Sequence, residues 1–422
     1  MADTGVLRQI EGSRAVAEVV AMCRPEVVCA YPISPQTHII ERVGWLVKVG
    51  RLAPCEFVNV ESEFAAMSVA IGASAAGARA YTATASQGLL YMAEAVYNAS
   101  GLGLPVVMTL ANRAIGAPIN IWNDHSDAMA VRDAGWIQLF AEDNQEAADL
   151  HIVAFRLAEE LSVPVMVCMD GFVLTHAVEE VRLPTQEQVD AFLPPYRPRQ
   201  VVDPADPSSI GAMVGPEAFT EVRYLAHLRQ LQALERIPEL AGEFAEAFGR
   251  RAGGLVSTYR SSDAETVIVA MGSVLGTIKD VVDARRSAGE RIGVVGVTAF
   301  RPFPAEALRR ALWGAKRVVV IEKAFGVGIG GILATDVGVA LGGAVPVNTV
   351  VAGLGGRAIT SASLHDLLDS VAAGVVAPIT FLDLDLDLVA GELQRAAATR
   401  RSGPVAENLL RDSAARGQRG AT

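Results

Sequence analysis

The fold is decided by the runs EVVCAYPI (residues 26–33), EFVNV (56–60), ARAYTATA (78–85) and LPVVMTLAN (104–112). Each run is short and rich in residues that favour strands, and amphipathic or Ala-rich stretches separate the runs. The series continues with WIQLFA (136–141) and VPVMVCMD (163–170). This alternation of strands and helices predicts a doubly wound α/β domain whose last strand ends before His176.

A second series of strand-forming runs begins near Glu265. It consists of TVIVAMGS (266–273), RIGVVGVTAF (291–300), KRVVVIEKAF (316–325) and VPVNTVVAGL (345–354). Helical stretches separate these runs, so the sequence predicts a second, smaller doubly wound α/β domain at residues 260–378. Residues 379–422 are expected to form a C-terminal extension whose polar end is partly disordered.

The segment between the two series contains an arm and a helix. Residues 183–215 are rich in Pro and polar residues and lack periodicity, which is typical of a connector or arm. Apolar residues then recur at three- and four-residue spacing, at Tyr224, Leu228, Leu231, Leu234 and Ile237. This spacing predicts a helix that packs on the first domain or on a partner, so we assign residues 1–250 to the first domain with its arm and helix.

Composition excludes several classes of protein. Apolar residues make up 51% of the 422 residues and charged residues 20%, which suits buried parallel sheets and large subunit interfaces. The net charge of −11 and the scattered basic residues argue against a nucleic-acid partner. Every apolar stretch is shorter than the about 18 residues that a spanning helix needs, and the start does not resemble a signal peptide, so we expect a cytoplasmic protein without a membrane contact.

The four cysteines, Cys23, Cys29, Cys55 and Cys168, lack C-x-x-C spacing. Their spacing therefore predicts neither a zinc site nor an iron–sulfur cluster in this chain. We expect buried, reduced thiols that behave as small apolar residues.

Four loops at the predicted strand ends carry polar side chains, namely Tyr31–Thr37, Glu61–Phe64, Ala111–Ala114 and Asn120–Asp127. Ligands of such sheets bind at the carboxyl ends of the strands, so these loops are the candidate site. In the last loop, Asp124, His125 and Asp127 suggest a metal, but without a second histidine or carboxylate motif we favour a turn built on Asn and Asp side chains.

Glu63 and Arg113 are the strongest candidates, and the residues alone leave a simpler explanation open for each. Glu63 is surrounded in sequence by apolar and small residues, which suits a carboxyl group that shares a proton. The alternative is that Glu63 is a helix N-terminal charge with Ser62 as the cap, and composition alone favours this alternative. Arg113 suits the bidentate capture of a substrate carboxylate, but a structural pair with a nearby Asp fits its spacing as well.

The stretch Gly326–Gly331 contains G-x-G-x-x-G after the run KRVVVIEKA. A dinucleotide site also needs an acidic residue about 20 positions later, and VPVNTVVAGLGG has none. We therefore interpret the stretch as a tight strand-to-helix turn, with a phosphate contact as the alternative.

Taken together, the loops resemble the pyruvate:ferredoxin oxidoreductase superfamily, specifically the α subunits of its multi-subunit enzymes. The matching stretches are AYPISPQTHIIE, ESEFAAMSVAIGASAAGARAYTATASQGL, ANRAIGAPINIWNDHSD, AGWIQLFAEDNQEA, MDGFVLTH, FRPFP and GLGGRAIT. The resemblance runs from about Gly12 to about Ala373. It implies a domain that holds the aminopyrimidine ring of thiamine diphosphate, followed by a domain like the transketolase C-terminal domain.

The resemblance also implies roles for single residues. Glu63 matches the carboxylate that hydrogen-bonds the aminopyrimidine, and Arg113 matches the arginine that binds the substrate carboxylate. Ser34 takes the place of a threonine whose hydroxyl faces the substrate, and Pro32 and Ile33 of the same loop are expected to contact the cofactor.

Ser126 is a departure from the family pattern, because the pyruvate enzymes have Gln in N-D-H-Q-D. We list it as a substrate-binding candidate, since a shorter side chain leaves room for a bulkier substrate.

The chain lacks the G-D-G stretch with which such enzymes hold Mg²⁺ and the diphosphate. Asp170-Gly171-Phe172 does not replace it, since the leading Gly and the later Asn are missing. The resemblance therefore implies a thiamine diphosphate site shared with a β-type subunit that supplies Mg²⁺. It also implies a γ-type subunit and a ferredoxin-like subunit with iron–sulfur clusters.

The expected reaction is the oxidative decarboxylation of a 2-oxo acid with coenzyme A to acyl-CoA and CO₂. Pyruvate is the first expectation for the substrate, and phenylglyoxylate or another bulky 2-oxo acid, with NAD as final acceptor, is the alternative given Ser34 and Ser126. A non-catalytic scaffold subunit is disfavoured because Glu63, Arg113 and a hydroxyl at position 34 are all present. A dinucleotide-binding oxidoreductase is disfavoured by the missing acidic residue.

Overall fold

A computed structural model describes residues 5–398 and 405–419 of the chain. Within these residues, the N-terminal part of the chain contains eight strands. They are β1 (Val6–Glu11), β2 (Val27–Ala30), β3 (Glu56–Asn59), β4 (Ala80–Thr84), β5 (Val107–Asn112), β6 (Ile137–Phe140), β7 (Val165–Asp170) and β8 (Val178–Leu183). Strands β2 to β7 are the six that the sequence predicts, and they run parallel in the order β6-β7-β5-β4-β2-β3. Strands β1 and β8 form a separate antiparallel ribbon that sequence reasoning missed.

Nine helices accompany these strands in the described residues. They are α1 (Gly12–Met22), α2 (Thr37–Lys48), α3 (Glu63–Ala75), α4 (Ser86–Tyr91), α5 (Ala93–Gly101), α6 (Ser126–Ala130), α7 (Asn144–Leu161), α8 (Gln186–Phe192) and α9 (Phe219–Phe248). Helices α1, α2 and α7 bury their apolar faces in one core, and α3 and α5 in another. Both faces of the sheet are therefore covered, as a doubly wound domain requires.

The predicted arm begins with a helix that sequence reasoning missed. The Thr185 hydroxyl accepts a hydrogen bond from the Gln188 backbone N–H, and the Gln188 side-chain oxygen accepts one from the Thr185 backbone N–H, so α8 begins with a capping box. The letters T-x-x-Q at 185–188 are a signature of that motif and would have predicted the helix.

The helix that the apolar spacing predicts is α9, and its buried face differs from the predicted one. Ala233, Ile237, Leu240, Phe244 and Phe248 are buried, whereas Tyr224 and Leu231 are exposed. The fully buried residues of α9 thus lie from Ala233 onward, and the helix packs against α5, α7 and α8.

The second sheet contains six strands in the order β15-β14-β13-β10-β11-β9. The strands of this part are β9 (Val256–Tyr259), β10 (Thr266–Ala270), β11 (Ile292–Val297), β12 (Ala299–Arg301), β13 (Arg317–Glu322), β14 (Val347–Val351) and β15 (Ile379–Phe381). Strand β12 leaves this sheet and pairs antiparallel with β6, which extends the first sheet to seven strands. The run RIGVVGVTAF therefore forms two strands in two different sheets.

The helices of this part are α10 (Val274–Ser287), α11 (Ala305–Ala311), α12 (Ile332–Leu341), α13 (Ser361–Ala372), α14 (Leu386–Ala398) and α15 (Val405–Arg419). No helix within the described ranges is both long and apolar enough to cross a membrane.

Two features of the C-terminal part differ from expectation. Strands β9 and β15 lie outside the predicted range 260–378 and yet belong to its sheet, because short edge strands with polar residues carry a weak sequence pattern. The polar tail forms α14 and α15 where it is described, and residues 399–404 and 420–422 lie outside the described residues.

Candidate active site

The polar loops predicted from the sequence meet at the carboxyl edge of the first sheet. The guanidinium of Arg113 is the centre of this arrangement: Nη1 donates to the Ser34 carbonyl oxygen at 2.9 Å, and Nε donates to the Asn120 carbonyl oxygen at 3.0 Å. The Arg113 side chain, at the end of β5, therefore connects the loop that follows β2 with the segment that precedes the N-D-H stretch. The two bonds use carbonyl acceptors, so they leave the positive charge uncompensated.

Glu63 is the first residue of α3, and its side chain is buried without a partner. Ser62 is the N-cap, since its hydroxyl accepts the Ala65 backbone N–H at 3.2 Å. Only 8% of Glu63 is exposed, and its carboxylate makes no hydrogen bond or ion pair within residues 5–398 and 405–419. The cap that the simpler explanation assumed is therefore present, but it is made by Ser62, and the glutamate carboxylate is left available.

Gly88 and Thr84 border the Glu63 side chain, and sequence reasoning singled out neither of them. A Cβ at position 88 would lie 2.8 Å from Cγ of Glu63 and 2.5 Å from Oγ1 of Thr84, so only glycine fits there. The Thr84 hydroxyl is buried and lacks a partner in the described structure. Both residues belong to TATASQG, which spans the end of a predicted strand and the start of the next helix, and their place at the carboxyl end of that strand is the signal that could have identified them.

Arg113 is 6% exposed and has no carboxylate partner in the described part of the chain. Burial lowers the pKa of its guanidinium, and the charge of Asp127 opposes this effect. Asp127 itself accepts the backbone N–H of Arg113 at 2.9 Å and does not contact the guanidinium. The nearby Asp that the spacing allowed as a partner is Asp127, but it binds the backbone of Arg113 and not the guanidinium. The guanidinium therefore remains suited to bind an anion.

Asp127 organises the backbone around the arginine. Its carboxylate accepts the side-chain amide of Asn112 at 2.9 Å and the backbone N–H of Ser86 at 3.0 Å, in addition to that of Arg113. Burial raises the pKa of Asp127 to about 6, although these hydrogen bonds favour the charged form. Asp127 therefore fixes the end of β5 and the start of α4 in one arrangement.

The loop that contains Ser34 lies at the surface beside Arg113. Pro32 and Ser34 are exposed, and Ile33 is half-buried. Gln36, which is fully buried, holds the loop by donating to the Ala83 carbonyl oxygen at 2.6 Å. Ser34 makes its contact to Arg113 through its carbonyl oxygen, and its hydroxyl remains free of protein partners in the described structure.

Ser126 lies in the same neighbourhood, but its hydroxyl is engaged within its own loop. It donates to Oδ1 of Asp124 at 2.5 Å and accepts the Ile115 backbone N–H at 3.1 Å. The other oxygen of Asp124 accepts the Gly355 backbone N–H at 3.0 Å, which ties the loop to the second domain. This is the turn built on acidic side chains that the sequence favours.

A buried ionic cluster, which sequence reasoning missed, joins the two domains behind this loop. Asp170 at the end of β7 binds Nε2 of His125 at 2.7 Å, Nζ of Lys323 at 2.7 Å and the Ser273 backbone N–H at 3.0 Å. Although burial acts in the opposite direction, the charges of Lys323 and His125 hold the pKa of Asp170 well below its usual range. The four residues of the cluster are far apart in the sequence, so no local pattern could have predicted it. They are His125, Asp170, Ser273 and Lys323.

The G-x-G-x-x-G stretch does not leave a helix terminus open for a phosphate. The Glu322 carboxylate accepts the backbone N–H groups of Ile332 and Leu333 at 2.8 Å and of Ala334 at 3.1 Å. A carboxylate of the chain itself therefore occupies the position at which an anion would bind. The stretch is the tight turn that the sequence predicts, closed by a hydrogen bond from Gly326 N–H to the Gly330 carbonyl.

The cysteines lie apart from this site. Cys23, Cys29 and Cys168 are buried, and Cys55 is half-buried; none forms a disulfide. Burial raises the pKa of Cys29 to about 12 and that of Cys55 to about 11, which keeps both as thiols.

Comparison with known proteins gives two family matches and close relatives. The model for pyruvate flavodoxin/ferredoxin oxidoreductase, thiamine diphosphate-binding, matches residues 18–241, and that for pyruvate:ferredoxin oxidoreductase core domain II matches residues 264–364. Pyruvate synthase subunit PorA of Methanosarcina barkeri is 48% identical over 90% of this chain and 97% of that protein. Ketoisovalerate oxidoreductase subunit VorA of Pyrococcus abyssi is 39% identical over 87% and 93%.

Among solved structures, a 2-oxoglutarate:ferredoxin oxidoreductase of Magnetococcus marinus, with 2-oxoglutarate, coenzyme A and succinyl-CoA bound, matches with a TM-score of 0.67 and 17% identity. The match covers 87% of this chain and 65% of that longer chain. At this identity the likeness concerns the fold alone, and it agrees with two doubly wound domains.

Proposed function

Because the chain belongs to the pyruvate flavodoxin/ferredoxin oxidoreductase family and is a subunit of a thiamine diphosphate-dependent 2-oxoacid oxidoreductase, we propose that its substrate is pyruvate and that Glu63 and Arg113 do its chemistry. The observation that carries the proposal is the Glu63 side chain, which is 8% exposed and whose carboxylate lacks any protein partner within the described residues. A carboxylate that the protein leaves unpaired in this position is available to a ligand with a matching donor.

The residues present fit the aminopyrimidine end of thiamine diphosphate. Glu63 offers an acceptor and a proton carrier, and the unpartnered Thr84 hydroxyl borders the same side chain. When bound, the cofactor supplies a nucleophilic carbon and an electron sink for decarboxylation. The part of Glu63 is to hold and move a proton at its carboxylate in a site from which water is largely excluded. We extend the proposal to Pro32 and Ile33 as cofactor contacts, because they lie on the adjoining loop.

Arg113 is suited to hold the carboxylate of the 2-oxo acid until that group leaves as CO₂. Its charge lacks an acidic partner in the described structure, and its position is fixed by the carbonyl oxygens of Ser34 and Asn120. The free hydroxyl of Ser34 adjoins this place and is the proposed donor to the keto oxygen. Ser126 remains a proposed determinant of the size of the pocket, acting through the loop it fastens.

The chain needs partner subunits for turnover. The balanced reaction converts pyruvate and coenzyme A to acetyl-CoA and CO₂ and releases two electrons and one proton. We propose that a β-type subunit supplies Mg²⁺ and the diphosphate site, and that a γ-type subunit completes the assembly. A ferredoxin-like subunit with iron–sulfur clusters takes the electrons, because the cysteines here are dispersed. We propose a cytoplasmic location, which the four free cysteines support.

A branched or bulkier 2-oxo acid is the second candidate. The 39% identity to a ketoisovalerate oxidoreductase subunit and the small side chains of Ser34 and Ser126 favour it. Phenylglyoxylate is the bulkier alternative substrate, with NAD as the alternative final electron acceptor, and the substrate comparison below includes it.

The proposal is tested with the anaerobically purified complex of this chain and its co-purifying subunits. We expect coenzyme A-dependent reduction of an electron acceptor with pyruvate and a lower kcat/KM with ketoisovalerate and phenylglyoxylate. The reverse order of substrates would replace pyruvate, and no 2-oxo acid turnover by a complex loaded with thiamine diphosphate would overturn the proposal. The chain alone should bind thiamine diphosphate negligibly in calorimetry, even with Mg²⁺, and should contain no iron or acid-labile sulfide.

A further inference from the structure

Two histidines and a glutamate meet beside the active-site loops, outside the machinery described above. Glu11 ends β1, His38 is the second residue of α2, and His176 follows β7. One ligand atom of each side chain lies within 4.8 Å of the others, and no other group of three His, Cys, Asp or Glu residues in the described ranges does so. These residues come from three separate elements, so the fold and not a local motif brings them together.

The donor set suits a divalent transition metal. His38 Nδ1 lies 2.6 Å from Oε1 of Glu11, whose other oxygen faces Arg14 Nε at 3.4 Å. The His38 and His176 rings approach to 4.7 Å between centroids. Two imidazoles and one carboxylate with an open further position are a typical zinc ligand set, whereas Mg²⁺ and Ca²⁺ prefer all-oxygen sites.

The His176 ring is held in position by its neighbours. Its Nδ1 lies 2.7 Å from Oγ1 of the buried Thr175, and that oxygen also accepts the Phe172 backbone N–H at 2.8 Å. In the tautomer that carries its proton on Nδ1, this nitrogen donates to the Thr175 hydroxyl oxygen and the lone pair is on Nε2, which is the arrangement that metal-bound histidines show. The Phe172 ring also packs against the His176 ring, with 4.7 Å between the ring centroids and a tilt of 38°.

We propose that Glu11, His38 and His176 form a binding site for Zn²⁺ or a similar divalent transition metal. The side chains are accessible to an incoming ion, since His38 is 47% exposed and Glu11 15% exposed. The site fastens the start of α2 to the turn after β7. Pro35, which precedes α2, packs against this turn at Gly171, so the metal stabilises the loop that carries Ser34.

The test uses the purified full-length chain, freed of metal by a chelator, with Co²⁺ as a spectroscopic probe and Zn²⁺ in calorimetry. We expect one equivalent of metal per chain and visible d–d bands without a thiolate charge-transfer band. His38→Gln and His176→Gln should each weaken binding at least about tenfold, because the loss of a ligand exceeds the effect of losing an outer partner. The exposed His227 lies on α9, away from this cluster, so His227→Gln is the matched control and should bind like the unchanged chain.

The outcomes separate clearly. Unchanged binding in both His38→Gln and His176→Gln, or a charge-transfer band that reports ligation by Cys55, would overturn the assignment, and so would the absence of saturable binding by the unchanged chain. Circular dichroism confirms that each variant is folded, and Zn²⁺ should raise the thermal midpoint of the unchanged chain and of His227→Gln but not that of the other two. The readouts involve neither thiamine diphosphate nor a 2-oxo acid, so they are independent of the proposed function.

Discussion

The carboxyl edges of the two sheets carry the same kinds of residue and use them in opposite ways. Each has a buried glutamate beside a helix N-terminus, Glu63 at α3 and Glu322 before α12. Glu322 accepts three backbone N–H groups, whereas Glu63 has no partner within the described residues. Each edge also has a buried base: Lys323 pairs with Asp170, whereas Arg113 lacks an acid in the described structure.

The difference shows how one fold serves two purposes. At the second edge the polar groups satisfy one another, and this binds the domains together. At the first edge, backbone contacts hold Glu63 and Arg113 in place without giving either side chain an oppositely charged partner in the described structure. Such an arrangement is what a ligand site requires. The unpartnered groups, and not the type of fold, therefore mark the proposed active site.

The largest effect is expected for Glu63→Gln. Glutamine has nearly the same volume and still forms hydrogen bonds, but it cannot carry a proton. In the assembled complex, exchange of the C2 proton of thiamine diphosphate should slow by about 10²-fold or more. Folding and subunit association should remain near the unchanged values. Exchange of the C2 proton at the normal rate in the assembled Glu63→Gln complex would contradict the catalytic role of Glu63 and the contrast with Glu322.

Lys323→Met probes the closed edge and should act on stability. The change leaves Asp170 buried with one charged neighbour fewer, which costs about 3–5 kcal/mol of the free energy of unfolding. Lys279→Met is the matched control, because Lys279 also pairs across the domains, with Glu142, but both side chains are partly exposed. That change should cost about 1 kcal/mol or less. Equal losses in denaturant titrations would contradict a special role for the buried cluster.

The same cluster predicts a dependence of stability on pH. The pKa of Asp170 is held below its ordinary value of 3.8, so the unfolded chain takes up the proton first as the pH falls. The contribution of Asp170 is therefore complete above that value and is lost as the pH falls through the lower folded pKa. Lys323→Met raises the folded pKa toward the unfolded one and should flatten the acid limb of a stability-versus-pH profile. An unaltered profile would show that Lys323 does not hold Asp170 charged.

Arg113→Met should impair the handling of the 2-oxo acid and leave coenzyme A unaffected. Loss of a charge-assisted bidentate contact costs about 2–4 kcal/mol in kcat/KM for the oxo acid. The KM for coenzyme A should stay unchanged, because only the oxo acid presents its carboxylate to this residue. Arg113→Lys keeps the charge and should recover part of the loss. Equal effects on both substrates would indicate that Arg113 only holds the loops of Ser34 and Asn120 together.

Glu322→Gln is expected to have the smallest effect and completes the comparison with Glu63→Gln. The amide oxygen can still accept the N–H groups of Ile332 and Leu333, but the amide NH2 cannot accept that of Ala334, and the charge that favours a helix N-terminus is lost. The change should therefore cost about 1–3 kcal/mol of stability. Activity of the assembled complex should not change. A loss of activity comparable to that of Glu63→Gln would show that both edges take part in the reaction.

The fold was largely predictable from the chain, and the departures share a cause. Strands β2 and β4 to β7 are buried and largely apolar, so the local pattern was sufficient for them. The edge strand β3 is only partly buried, and its run EFVNV was still sufficient to predict it. The ribbon of β1 and β8 and the edge strands β9 and β15 are partly exposed, and their residues resemble those of loops. Helix α8 was missed although its capping box is visible in the letters 185–188.

The amino-acid sequence was sufficient to place the candidate site, because polar residues at the ends of neighbouring parallel strands meet at one edge of the sheet. The letters around Glu63 and Glu322 do not show which of the two carboxylates lacks a partner. The three-dimensional arrangement gives Glu322 three backbone N–H donors and leaves Glu63 without one in the described residues. Hydrogen-bond partners are set by proximity in space, and the partner of Lys323 is Asp170, 153 residues earlier in the chain.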